Sequence, residues 1–248
     1  MKFFKRVSIG FVLVIGLMTS GFVGWTQVAH YPAMPAAVET ATTATRTEQG
    51  WLVFNAKQKQ TSSTGFIFYP GALVDVAAYA PIAQALAERG ITTIIVNMPL
   101  DLAILNPGEA SQVLAAFPQI NRWAIGGHSL GGSMAGQFLQ SHPELTQKIR
   151  GLVLWGSRLS AGITVADLPI KAISIYGTRD GLAPKDLGEA GRLVGLPVGA
   201  QLVPIQGGNH AMFGDYGFQK GDNAATLSST QSQNQIVAAT AEFLDGLR

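Results

Sequence analysis

Trp123-Ala124-Ile125-Gly126-Gly127-His128-Ser129-Leu130-Gly131-Gly132 is the stretch that decides the fold. Its first five residues are small or apolar and read as a buried strand, Trp123–Gly127. Ser129 to Gln140 reads as a helix. Between them stands Gly127-x-Ser129-x-Gly131. A serine on a sharp strand-to-helix turn stands clear of the sheet, and the residues two before and two after it approach neighbouring backbone and must be small. The helix that starts there aims backbone N–H groups and the positive end of its dipole at the same point. A phosphate loop does not fit. A Walker-type loop needs Lys followed by Ser or Thr after its last glycine, whereas Ser133-Met134 follow Gly132, and G-x-G-x-x-G does not occur in this stretch.

Working outward, short apolar runs alternate with helical patterns. Trp51–Ala56, Phe66–Tyr69, Ile91–Val96, Leu152–Trp155, Ala172–Tyr176 and Gln201–Ile205 read as strands. Ala78–Arg89, Glu109–Phe117, Lys185–Val194 and Gln235–Leu247 read as helices. Ile91–Val96 is β-branched and uninterrupted, as a strand buried on both faces must be. The alternation predicts an α/β fold: a mostly parallel, twisted sheet with helices on both faces. Ligands in such sheets bind at the carboxyl ends of the strands.

The candidate chemistry sits at those ends. After the strand ending at Tyr176 comes Gly177-Thr178-Arg179-Asp180-Gly181, and after Ile205 comes Gly207-Gly208-Asn209-His210. Ser129, Asp180 and His210 follow the order nucleophile, acid, base. His210 would take the proton of Ser129, and Asp180 would hold the imidazole tautomer. Asp186 lies inside a predicted helix and Asp167 precedes its strand, so both are weaker acids for the role. Among the other histidines, His30 falls in a linker, His128 is expected to point away from the serine, and His142 to lie at the surface. An oxyanion hole needs two backbone N–H groups. Leu130 would supply one and Ala72 the other, with Gly71 permitting the sharp turn after Pro70.

These motifs resemble the α/β-hydrolase superfamily. Tyr69-Pro70-Gly71-Ala72-Leu73-Val74-Asp75 and Gly208-Asn209-His210-Ala211-Met212-Phe213-Gly214-Asp215-Tyr216-Gly217 resemble a compact, membrane-anchored bacterial subgroup with a dienelactone-hydrolase-like outline. The resemblance covers about residues 50 to 248. It implies the α/β-hydrolase fold and Ser129, Asp180 and His210 as the triad. Dienelactone hydrolases use a Cys nucleophile, and this chain has no Cys, which argues against that activity. The expected function is a serine hydrolase that works through an acyl-enzyme on small or accessible carboxylic esters. An amidase, peptidase or acyltransferase with the same triad, or a non-catalytic binding protein of the same fold, are the alternatives. Only Ser157–Ile170 separates two predicted strands, so no large cap domain is expected. The apolar loop Leu100–Leu105 is a candidate lining for an acyl pocket. Asp215 and Asp222 in the loop Phe213–Asn223 are too few to hold a cation, and the loop is expected to shape the site beside His210.

Composition bounds the rest. With 47% hydrophobic and 13% charged residues among 248, the chain excludes disorder as its main state. The absence of Cys removes disulfides, thiolate metal sites and a lipidated Cys anchor; no cofactor or metal is expected. Lys2, Lys5 and Arg6 carry the small positive excess, and the remaining 14 basic and 15 acidic residues nearly cancel, so no nucleic-acid partner is expected. Those three cations precede the uncharged run Val7–Trp25, which as a helix spans roughly 28 Å, close to a bilayer's hydrocarbon core. Residues 1–26 are therefore expected as an uncleaved signal anchor, with the catalytic domain outside the cytoplasm; secretion after signal cleavage is the alternative. Residues 27–48, rich in Ala, Thr and Pro, read as a linker, and residues 49–248 as the hydrolase domain.

Overall fold

The computed structural model describes residues 20–57 and 64–247. It divides into Met1–His30 and a compact unit Tyr31–Arg248. In the first, residues 20–28 are helical. Most of the apolar run Val7–Trp25 lies outside the described residues, so the expected anchor does too. Among the described residues no helix is long and apolar enough to cross a membrane.

The second unit is built on one eight-stranded sheet. Its strands are β1 (Thr45–Arg46), β2 (Leu52–Phe54), β3 (Thr64–Tyr69), β4 (Thr92–Ile95), β5 (Arg122–His128), β6 (Ile149–Trp155), β7 (Lys171–Gly177) and β8 (Gln201–Ile205). They lie in the order β1-β2-β4-β3-β5-β6-β7-β8. β1–β2 and β2–β4 pair antiparallel, and every other pair is parallel. The helices are α1 (Pro35–Ala41), α2 (Ala80–Glu88), α3 (Glu109–Ala116), α4 (Leu130–Ser141), α5 (Glu189–Arg192) and α6 (Ser229–Asp245).

Strand periodicity divides the core in two. Phe66 and Phe68 of β3, with Val153 and Trp155 of β6, face one way and are covered by α2 and α6. Ile67 and Tyr69, with Leu152 and Leu154, face the other way and are covered by α3 and α4. Both faces of the central strands are buried, which is why they read as unbroken apolar runs. A capping box at Ser228 and Gln231 starts α6, some six residues before the sequence pattern predicts.

Two expectations are corrected. Much of the expected linker is structured: α1 buries Ala37 and Ala41, and β1 joins the sheet edge. Small Ala side chains bury little area each, so their packing is weakly marked in sequence. The helix expected over Lys185–Val194 shrinks to the single turn of α5. Gly188 is extended at its start and Gly191 lies within it, and glycine is a poor helix former.

Candidate active site

Ser129 joins β5 to α4 with φ 52° and ψ −121°, a conformation that costs a non-glycine residue steric strain. Its neighbours make that turn possible. A Cβ on Gly127 or on Gly131 would collide with the Tyr69 carbonyl oxygen of β3. The small residues on either side of the serine are thus needed for backbone approach. Ser157 Oγ donates to the Ser129 carbonyl at 2.6 Å and so holds the turn from the β6 end.

Asp180 follows β7 and His210 follows β8. His210 Nδ1 lies 2.9 Å from Asp180 Oδ2, and the two side chains are only 5% and 2% exposed. Asp180 Oδ1 accepts the N–H groups of Leu182 and Ala183 at 2.9 and 3.0 Å. Burial alone would raise this carboxyl; hydrogen bonding and charge from His210, with the two N–H donors, outweigh it and hold Asp180 below the usual carboxylate range. Among the described residues His210 Nε2 is buried with no partner. Ser129, Asp180 and His210 line one cavity of about 270 Å³. The structure therefore pairs Asp180 with His210 and brings Ser129 to the same cavity. No hydrogen bond joins the serine to Nε2, a contact that often tightens only when substrate binds.

The oxyanion candidates are the N–H groups of Leu130 and Ala72. Leu130 is the first residue of α4, so its N–H has no acceptor within the helix. In the turn Gly71–Val74 the Gly71 N–H goes to Tyr79 Oη, the Leu73 N–H to the Asp101 carbonyl, and the Val74 N–H to the Gly71 carbonyl. Among the described residues the Ala72 N–H is left without an acceptor. The positive φ of this turn falls on Leu73, at 60°, and not on Gly71. Glycine is needed at 71 for a different reason than the one expected: a Cβ there would stand 2.7 Å from His128 Nδ1.

Sequence reasoning missed two groups. The first is His128. Its ring is buried, lies 4.6 Å from the His210 ring between centroids, and hydrogen-bonds Tyr79 Oη at 3.0 Å. Burial pushes the Tyr79 phenol far above its usual range, so it keeps its proton. Its oxygen accepts the Gly71 N–H at 2.9 Å and shares a hydrogen bond with His128 Nδ1 at 3.0 Å. Burial first, then the charge of His210, lowers the pKa of His128 well below its usual value. A neutral ring thus backs the base. The second group is Asp222, whose carboxylate accepts from Gly181, Ala211 and Asn223 N–H at 2.9 Å each. It ties the Asp180 turn to the His210 turn. Asp222 was visible in the sequence only as an acid in a glycine-rich loop. No signal there pointed to its distant partners, Gly181 and Ala211.

Other expectations resolve as follows. The Leu100–Leu105 loop does not line the cavity, and Ile104 and Leu105 are exposed. The cavity is bounded instead by residues after β6 and before α5. Among the described residues no cluster of three or more metal-ligating side chains occurs. Asp186 and Asp167 stand outside the cavity lining.

The alpha/beta hydrolase family model matches residues 65–234, and the chain belongs to that family. No curated protein matches the sequence. Among solved structures, Est1E from Butyrivibrio proteoclasticus aligns over 79% of this chain and 93% of its own, at 14% identity and TM-score 0.59. A dienelactone hydrolase-like promiscuous phosphotriesterase, P91, from metagenomic libraries aligns over 79% and 92%, at 16% identity and TM-score 0.56. A soluble variant of monoglyceride lipase from Saccharomyces cerevisiae aligns over 80% and 91%, at 10% identity and TM-score 0.59. At these identities the likeness is one of fold.

Proposed function

We propose that the protein is a serine hydrolase of carboxylic esters that works through an acyl-enzyme. The observation that carries this reading is the Asp180–His210 pair, with Nε2 unpartnered and His210 lining the same cavity as Ser129 on its strained turn. Ser129 Oγ attacks the ester carbonyl while His210 Nε2 takes its proton. The carbonyl oxygen becomes an oxyanion facing the N–H groups of Ala72 and Leu130, each worth about 3 kcal/mol of barrier. The alcohol leaves with the proton from Nε2. Water then attacks the acyl-serine, Nε2 takes its proton and returns it to Oγ, and the acid is released. Asp180, held ionised, keeps Nδ1 protonated throughout and stabilises the imidazolium. The esterase and lipase names of several fold neighbours support an ester as the substrate.

The test is labelling of the full chain with a fluorophosphonate and mapping of the adduct by mass spectrometry. An adduct on Ser129, absent when His210 is replaced by Ala, is the expected result. No adduct on folded protein would refute an activated serine.

We further propose that the run Val7–Trp25, with its preceding cations, holds the domain at a membrane on the non-cytoplasmic side. Fractionation of cells expressing the full chain checks this: recovery with membranes at full length is expected. A soluble product shortened by about 25 to 35 residues would mean cleavage instead.

A further inference from the structure

One residue in the cavity beside Ser129 has no part in the chemistry above. Arg192 of α5 is 93% buried by its 7% exposure, and it lines the cavity together with Ser129 and His210. Its guanidinium lies 4.0 Å over the Tyr176 ring. Among the described residues no carboxylate oxygen lies within 4.0 Å of it, and its side chain makes no hydrogen bond. The two nearby acids are already committed. Both oxygens of Asp180 serve His210, Leu182 and Ala183, and Glu189 Oε1 accepts from Tyr176 Oη at 3.1 Å. A buried cation is costly unless it is paired and hydrogen-bonded, and an aromatic face replaces only a fraction of its lost hydration. The exposed Arg158 lines the same cavity, where Asp180 is the sole acid. The cavity walls thus carry a surplus of one positive charge, beside apolar Leu182, Pro184 and Leu187.

We propose that this cavity selects esters bearing a carboxylate on the group that enters it, with Arg192 reading the charge and Arg158 at the exposed side. The planar guanidinium offers a fork of N–H donors that matches a carboxylate, which would supply the partner the protein does not. A volume of about 270 Å³ restricts that group to a short one. The proposal rests on the hydrolase reading and adds the substrate's charge to it.

The experiment compares matched esters with the full chain. One pair is 4-nitrophenyl hemiglutarate and its methyl-capped counterpart, with the charge in the acyl half. The other is 4-acetoxybenzoate and its methyl ester, with the charge in the alcohol half. In the pair whose charged half enters the cavity, the anion should show kcat/KM at least about tenfold above its neutral match, carried by KM. Arg192→Met should bring that ratio close to one, with Arg192→Lys in between. Neutral members equal or better in both pairs would overturn the proposal. So would an Arg192→Met loss shared equally by charged and neutral esters, which marks a structural role beside Tyr176. Should Arg192→Met not fold by circular dichroism, the wild-type ratios and Arg192→Lys decide. Calorimetry with glutarate separates the two readings: binding to the wild type that weakens at least tenfold in Arg192→Lys, without turnover of any ester, would retain the anion site and refute the hydrolase. Turnover of neutral esters without glutarate binding would do the reverse.

Discussion

The two flanks of Ser129 are built differently. On the β3 side, a hydrogen-bond network holds the turn after the strand. Tyr79 Oη accepts from Gly71 and hydrogen-bonds His128 Nδ1, the Leu73 N–H reaches Asp101, and the turn is closed by Val74. Of this turn's backbone N–H groups only that of Ala72 is left over among the described residues, and the buried His128 Nε2 has no partner either. On the β7 side, Arg192 is buried with no anion in contact, and the walls mix apolar groups with cations. Such a network fixes geometry, because each broken bond leaves a buried group unsatisfied. An unmatched cation fixes nothing by itself and gains only when something else arrives. The comparison separates two tasks: the first flank fixes the turn that carries the Ala72 N–H, and on the proposal above the Arg192 wall of the second meets the part of the substrate that varies.

Several variants test that division. The largest effect belongs to the machinery. Ser129→Ala should lower ester hydrolysis by at least about 10⁴-fold with the melting temperature little changed, as measured by steady-state kinetics and circular dichroism. Asp180→Asn should cost about 10³- to 10⁴-fold in kcat by leaving the imidazole in the wrong tautomer; a loss under tenfold would assign the acid's role elsewhere. Asp222→Ala should cost about 10²-fold in kcat, because three N–H groups that align the Asp180 and His210 turns lose their acceptor. Tyr79→Phe leaves the buried Gly71 N–H unpaired and should destabilise the domain by about 1–3 kcal/mol in urea unfolding, with kcat down about tenfold. If the flanks are separate, Tyr79→Phe does not alter the preference between charged and neutral esters.

The smallest effect concerns pH. The Asp180 carboxyl is lowered in the folded protein from its ordinary 3.8. A group with a depressed folded pKa contributes stability above its unfolded pKa and loses it as pH falls through the folded value. The stability gap between wild type and Asp180→Asn should therefore be widest near neutrality and narrow below about pH 3.8. Melting curves between pH 7 and pH 3 check this.

Much of the fold was legible because both faces of the sheet are buried. Strands such as Phe66–Tyr69 and Leu152–Trp155 must then be apolar throughout, and their ends show as glycine-rich turns. The elbow was legible for a similar reason: backbone crowding against Tyr69 excludes side chains at 127 and 131, and that constraint is written as glycine. Local patterns that carry little side-chain information were not legible. The alanines of α1 leave only a faint trace of burial, and the start of α5 depends on where Gly188 extends.

For the candidate site, the sequence by itself determined the three residue types, their order, and their places at strand ends, since each depends on a few consecutive residues. Tertiary structure decided what those residues touch. The pairing of Asp180 with His210, the neutral His128 backing it, the Asp222 tie and the unpartnered Arg192 all join segments distant in the chain. A hydrogen bond or a missing counter-charge is a property of two surfaces brought together, and neither strand nor loop carries a local mark of the partner it will meet.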